Sequence, residues 1–335
     1  MNKYIGHPYQ LAGFQEYRLT GGKADGMRML RVKNGKGLEI EISLDRCADL
    51  SQITVNGINM GYFAPCGYVH PAYYDNKGTG FLKSFTAGFL TTCGLTAVGN
   101  PCIDDGEELP LHGNISHTPV ENYAVTENEN HIEITSYIRD ASLFSHKLIL
   151  KRIYSVSKNE NHIEMYDEIE NISSMTTPVM ILYHCNIGYP LLSENANVVI
   201  PSLDVTPRNE HAEKDIENCL NMEEPQKDYV EKCYYHNVKE NNGIAQCGIY
   251  NSDIEKGLVI EYAKETLPYF TEWKMMGEYE YVLGLEPGNC TPDGRDVLRK
   301  EGKLMFIEPG EKYKSQLVFK FIENHNKFTE ELKCW

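Results

Sequence analysis

Long apolar runs are missing from this 335-residue chain. Nothing in it approaches the roughly 20 apolar residues that cross a bilayer, and the opening MNKYIGHPYQLAGFQEYRL holds no apolar stretch of signal-peptide length. A cytoplasmic protein is therefore the expectation. Positive charge is also scarce: 32 Lys and Arg against 48 Asp and Glu leave a formal net charge of -16, with no Lys/Arg-rich run. Such a surface repels phosphate, so neither nucleic acid nor an anionic membrane is an expected partner. Ten cysteines lie singly along the chain with no CxxC pair among them. That spacing argues against a cysteine-zinc site and reads as reduced thiols, several buried as small apolar side chains. There is no GxSxG elbow, P-loop or Rossmann glycine fingerprint. The stretch Glu210-His-Ala-Glu-Lys214 lacks the second histidine of a zinc-protease helix.

Helical periodicity is scarce too. Only Asp215 to Met222 and Asn326 to Leu332 are plausible short helices, so the repeating βα units of a doubly wound fold are absent. What dominates instead is alternation with a period of two. In Gly37 to Leu44, Leu38, Ile40, Ile42 and Leu44 share one face. The same pattern returns at His131 to Ile138, Leu148 to Val156, His162 to Ile169, Pro178 to Tyr183, Leu258 to Tyr262, Tyr279 to Leu285, Leu304 to Ile307 and Ser315 to Ile322. Turn chemistry such as Asn34-Gly35, Asn56-Gly57 and Pro309-Gly310 separates these strands. Asn-Glu-Asn-His-Ile-Glu occurs twice, at 128 to 133 and 159 to 164, each time as a polar turn feeding a strand. With 41% hydrophobic residues and no Pro/Gly/Ser-rich linker, the chain reads as one all-β sandwich domain over 1–335. The polar stretch Glu210 to Asp228 is expected to run over its surface.

Three segments carry more ionisable side chains than a sheet core tolerates without reason. Leu109-Pro-Leu-His-Gly-Asn-Ile-Ser-His117 follows the glycine-rich Ala87 to Gly99, and His112 beside Gly113 suits a loop where backbone and ligand approach closely. The competing reading is a hydrogen-bonded structural histidine. In Met180 to Pro190 an apolar strand presents His184 and Asn186 on one face; a satisfied core histidine is again the rival. In Tyr281 to Arg295 an apolar strand delivers Glu286 just before Pro287, a residue expected to stop the ladder and leave the carboxylate at a sheet rim. Partial desolvation there raises a carboxyl pKa towards the range of a general base.

At these segments the chain resembles the galactose mutarotase/aldose 1-epimerase superfamily, and more closely a bacterial branch of it known as a domain of unknown function. The resemblance runs through Leu38 to Leu50 with Asp45-Arg46, Gly88 to Leu95, Leu111-His-Gly113, Tyr183-His184 and Trp273 to Pro287. It implies a large antiparallel β-supersandwich, an open cleft across one sheet, and no metal or organic cofactor. Mutarotases place one histidine in a His-Gly-like loop, a second on a central strand and a glutamate in a Leu-Glu-Pro context; those roles map onto His112, His184 and Glu286. The family's early arginine and third-quarter aspartate have no match around Phe85 to Phe89 or between Glu210 and Lys232.

The activity implied is interconversion of sugar anomers. Glu286 would take the O1 proton, His184 would protonate the ring oxygen, and His112 would orient and polarise the sugar. Arg46, His117, Asn186 and Trp273 are candidate substrate contacts, Trp273 through stacking on a sugar ring. The expected partner is a small-molecule carbohydrate, bound by a monomer or homodimer. The rival reading is a non-catalytic carbohydrate-binding or regulatory protein. A glycosidase would need a second facing carboxylate, and the sequence offers none to pair with Glu286.

Overall fold

The computed structural model describes residues 3–332; Cys334 lies outside them. Three antiparallel sheets account for most of the chain. The largest, of nine strands, runs in the order Val120–Glu127, His131–Ala141, Lys147–Ser157, His162–Asn171, Lys312–Ile322, Lys256–Ala263, Ile244–Asn251 and Ala196–Val199, with Glu240–Asn241 attached to the Ile244–Asn251 strand. Facing it is a six-stranded sheet ordered Ser202–Pro207, Lys232–Val238, Tyr269–Gly277, Glu280–Gly288, Met180–Ile187, Leu90–Leu95. A five-stranded meander, Gly13–Arg18 to Ile58–Asn59, closes one end. Among the described residues no helix is long and apolar enough to cross a membrane.

Alternation explains the packing. Along Lys147–Ser157, Leu148, Leu150, Tyr154 and Val156 are buried, as are Ile163, Met165 and Ile169 on its neighbour. These side chains meet Tyr183, Cys185, Leu283, Leu285 and Phe270 from the six-stranded sheet and Ile40, Ile42 and Leu50 from the meander in one continuous core. Both copies of Asn-Glu-Asn-His-Ile-Glu lead into strands, at His131 and His162.

A cluster of charged groups lies wholly within this core. Arg152, fully buried, donates through Nε and Nη2 to the two oxygens of Asp167 (2.9 and 2.7 Å), through Nη1 to Asp49 Oδ1 (2.7 Å), and through Nη2 to Thr92 Oγ1 (2.8 Å). The Tyr183 hydroxyl donates to Asp167 Oδ2 at 2.8 Å. Since these residues come from all three sheets, the cluster fixes the sheets' relative register. Breaking such a pair leaves an uncompensated buried charge.

Some local expectations are corrected. The strand around Glu286 does not stop at Pro287; it continues to Gly288, with Pro287 opposite Phe270. The strand expected over Pro178 to Tyr183 runs over Met180–Ile187, and His184 and Asn186 are strand residues as anticipated. The surface excursion folds as a short helix Glu210–Glu213 and a 3-10 turn Ile216–Asn218, not one helix over 215 to 222. A helix at Arg295–Lys300 was not evident from periodicity, being little more than one turn. Leu304 to Ile307 shrinks to Phe306–Ile307.

Candidate active site

The strand register alone assembles the centre. Cys185 pairs with Leu285 and Leu182 with Gly288, so the same register carries His184 directly across from Glu286. The regular pairing lapses between those two points, which accommodates the missing N–H of Pro287. On the other side Glu286 is opposite Thr271, Thr271 opposite Tyr235, and Tyr235 opposite Thr206; beyond His184 comes Thr91. Residues directly opposed in an antiparallel sheet share a face. Thr206, Tyr235, Thr271, Glu286, His184 and Thr91 therefore form one transverse row. A parallel row two residues away holds Cys233, Trp273, Gly284 and Asn186.

His112 reaches this row from a loop held by the sheet edge. The backbone N–H of Gly94 donates to His112 O (3.1 Å), that of Asn114 to Gly94 O (3.2 Å), and that of His112 to Gly99 O (2.9 Å). His112 itself sits at φ 59° and Gly113 at φ 72°. A Cβ on Gly113 would lie 2.3 Å from Gly94 O and 2.5 Å from Ala97 O, so only glycine permits this approach.

The three ionisable groups converge. His184 Nε2 lies 3.2 Å from Glu286 Oε1, and the His112 and His184 rings meet edge to face at 5.7 Å between centroids. Phe85 and Trp273 flank His184 at 5.4 and 5.2 Å, and Phe81 lies 5.3 Å from His112. His184 is 5% and Glu286 2% exposed, so the centre is a recess with aromatic walls, more closed than the open cleft the resemblance implies. The indole Nε1–H of Trp273 donates to Glu231 Oε2 at 2.7 Å, holding that wall in place.

Burial sets the protonation. It pushes the Glu286 carboxyl well above the ordinary carboxylate range; the Arg208 cation draws it partly back and Glu231 pushes the other way. Burial also holds His184 well below the ordinary imidazole value, His112 adding to the effect and Asn186 opposing it. His112 is lowered to about 4, by burial first and Arg208 second. Burial thus favours the neutral form of each group, a carboxylic acid facing a neutral imidazole.

Five buried polar atoms on this face have no hydrogen-bond partner in the protein: His112 Nδ1, His184 Nδ1, Asn186 Oδ1, Thr271 Oγ1 and Glu286 Oε1. Each such atom costs on the order of 1–3 kcal/mol. A cluster of them leaves donors and acceptors on this face that a polar ligand could satisfy.

Not every anticipated contact joins this cluster. Asn186 does by position, although its Nδ2 donates to His184 O at 2.8 Å. Trp273 does as a wall. Arg46 and His117 are instead buried together behind Phe81. Arg46 Nη2 and His117 Nε2 are 3.2 Å apart, Arg46 Nη1 donates to Val69 O (3.1 Å), and the His117 ring stacks on Tyr74 at 3.7 Å while meeting Ser84 Oγ at 2.9 Å. Their polar atoms serve each other, so the structure does not bring them to Glu286.

Conversely, Arg208, Thr271 and Gly284 belong to the site without having stood out in the sequence. Arg208 donates to Asn100 Oδ1 (3.0 Å) and sits 3.8 Å from Asp293, whose Oδ1 accepts from the Tyr235 hydroxyl at 2.6 Å. It is the arginine near Glu286, and it follows Pro207 at a strand end far from the Phe85 to Phe89 stretch. Gly284 clears space: a Cβ there would lie 2.3 Å from Glu286 Oε1 and 3.0 Å from Trp273 Cβ. Its Leu-Gly-Leu-Glu setting was the available signal.

Two facing antiparallel sheets with a polar row across the smaller one define a galactose mutarotase-like β-supersandwich. A Klebsiella pneumoniae protein with a provisional aldose 1-epimerase assignment superposes with TM-score 0.90 at 25% identity, over 96% of this chain and 87% of that one. A galactose mutarotase-like protein from Clostridium acetobutylicum gives 0.70 at 15% identity (94% and 99% covered), and a galactose 1-epimerase from Lactobacillus acidophilus gives 0.64 at 15% (94% and 100%). No curated protein matches the sequence. Residues 24–321 match the profile of the domain of unknown function DUF4432, and the chain belongs to that family.

Proposed function

We propose that this protein is an aldose 1-epimerase-like enzyme that interconverts the anomers of a sugar or sugar derivative, with Glu286, His184 and His112 as its acid/base set and the whole chain acting as one cytoplasmic domain. The observation that carries the reading is the 3.2 Å approach of His184 to Glu286 amid the cluster of unpartnered polar atoms.

Anomerisation moves protons and little else. Glu286 as base takes the O1 proton while His184 as acid protonates the ring oxygen, giving the open-chain aldehyde; after rotation about the C1–C2 bond the ring recloses with both transfers reversed. Midway, Glu286 is a neutral acid and His184 a neutral imidazole. Desolvation favours that same distribution in the empty recess. The site therefore stabilises the protonation state that accompanies the aldehyde, and Arg208 keeps the carboxylate form of Glu286 within reach. Thr271 and Asn186 offer hydrogen bonds to hydroxyls, His112 orients the sugar, and Trp273 walls the ring.

A protein that only binds sugar has no need of a matched acid and base in contact, which favours the enzyme over the non-catalytic alternative. The test is proton NMR exchange between anomers across a panel of aldoses and ketoses, with Glu286→Gln beside the wild type. Loss of accelerated exchange with sugar binding retained supports the assignment. Acceleration undiminished in Glu286→Gln removes that residue from the chemistry, and wild-type binding without acceleration on any sugar favours the non-catalytic reading.

A further inference from the structure

The opposite face of the same sheet carries a second polar group that the anomerase reading does not use. Along Tyr269–Gly277 the residues alternate, so Glu272 points away from the row that holds Thr271, towards the interior. There Glu272, His236 and Cys219 are all buried, and one donor atom from each lies within 4.8 Å of the other two. We propose that these three residues bind a divalent metal ion of the zinc class, clamping the 209–229 excursion onto the sheet. The proposal stands independently of the mutarotase chemistry.

The hydrogen bonds around His236 carry the argument. The Ser202 hydroxyl has one proton, which it donates to Ile200 O at 3.1 Å; its oxygen also meets His236 Nδ1 at 2.9 Å. With that proton on Ile200, Nδ1 is the protonated nitrogen, donating to Ser202, and Nε2 of the neutral ring is free to ligate. Nε2 lies 2.9 Å from Glu272 Oε2, so both donor atoms can bind one cation seated beside them. An added proton would satisfy this one contact only. It would leave Glu272 Oε1, buried and without a partner, and it would give no reason for the approach of Cys219. A metal satisfies all three residues at once.

The donor set selects the metal. Sulfur, imidazole nitrogen and carboxylate oxygen together are the ligands of four-coordinate zinc, and a bidentate Glu272 would fill the fourth position with the orphan Oε1. A thiolate and a carboxylate neutralise a divalent ion, so the buried centre carries no net charge. The nearby Lys274 ammonium is already committed to Asn218 O, Asn221 O and Glu223 Oε1. The Ser202 contact is the outer hydrogen bond that orients a ligating histidine. No CxxC spacing announces such a site, because its ligands come from a loop and two adjacent strands.

The placement gives the ion a purpose. The excursion begins just after Arg208 and ends just before Glu231, the two charged residues whose fields act on Glu286. Fixing its middle at Cys219 holds both ends. The test is elemental analysis of untagged protein, followed by cobalt(II) titration of the chelator-treated chain. Expected are about one zinc per chain and a thiolate-to-cobalt charge-transfer band, both reduced at least tenfold in Cys219→Ser and in His236→Gln but kept in His112→Gln. No bound metal and no thiolate band in the wild type would overturn the proposal, as would a band that persists in Cys219→Ser. The wild-type cobalt spectrum decides the matter even where a variant fails to fold.

Discussion

Replacing Gly284 by alanine is the sharpest probe of the recess, because it adds one methyl group and leaves every ionisable residue in place. The backbone there does not occupy the left-handed region, so alanine fits the strand; without other contacts it would stabilise the fold by roughly 0.5–1 kcal/mol through the unfolded chain. The added Cβ, however, would lie 2.3 Å from Glu286 Oε1. Carbon and oxygen settle no closer than about 3.3 Å, so the carboxyl group must retreat by about 1 Å from its 3.2 Å approach to His184. A displacement of that size costs about 100-fold in rate, equivalent to about 2.7 kcal/mol. The expected result is a hundredfold fall in kcat/KM, read by NMR anomer exchange on whichever sugar the wild type accepts, with a thermal midpoint within a few degrees of the parent. A Gly284→Ala variant that is folded and fully active would refute the proposed pairing of Glu286 with His184.

Further expectations concern charge. Because the folded state raises the Glu286 pKa, it binds more protons there than the unfolded chain does, and stability is lost as pH rises through the range above the unfolded value near 4.5. Glu286→Gln should therefore raise the thermal midpoint at pH 7, with the gain fading below about pH 4. His112 behaves oppositely: lowered from 6.5 to about 4, it removes stability as pH falls through that window, so His112→Gln should flatten the pH 4–6.5 limb in urea titrations. Arg208→Gln removes a cation that lowers both Glu286 and His112, and the acid limb of the kcat/KM profile should move to higher pH. Arg152→Met strands Asp49 and Asp167 in the core and should cost about 3–5 kcal/mol in urea unfolding.

The sandwich was legible in the sequence because one face of most long strands is buried and the other wet, as in Lys147–Ser157 and His162–Asn171. Strands buried on both faces hid their ends: Met180–Ile187 is buried throughout, so polarity alternation could not mark where it stops, and only His184 and Asn186 betrayed its two faces. His112, His184 and Glu286 could be picked out because an ionisable residue in an apolar or glycine-rich setting contradicts its surroundings. Arg208 could not, since an arginine after a strand-ending proline is an ordinary surface residue until the fold brings it to Glu286. Arg46 and His117 were candidate contacts, Arg46 within the stretch that carries the family resemblance, yet they satisfy one another in the interior. Sequence context identifies buried polarity; only the fold tells a satisfied pair from an unsatisfied one.

The transverse arrangement from Thr206 to Thr91 has an evolutionary corollary. Each position comes from a different strand, and six strands at roughly 4.8 Å spacing cover about 24 Å. One exchange per strand can thus re-address the floor of the recess to another ligand while turns, register and interior stay untouched. Relatives of this shape are free to diverge in substrate faster than in architecture.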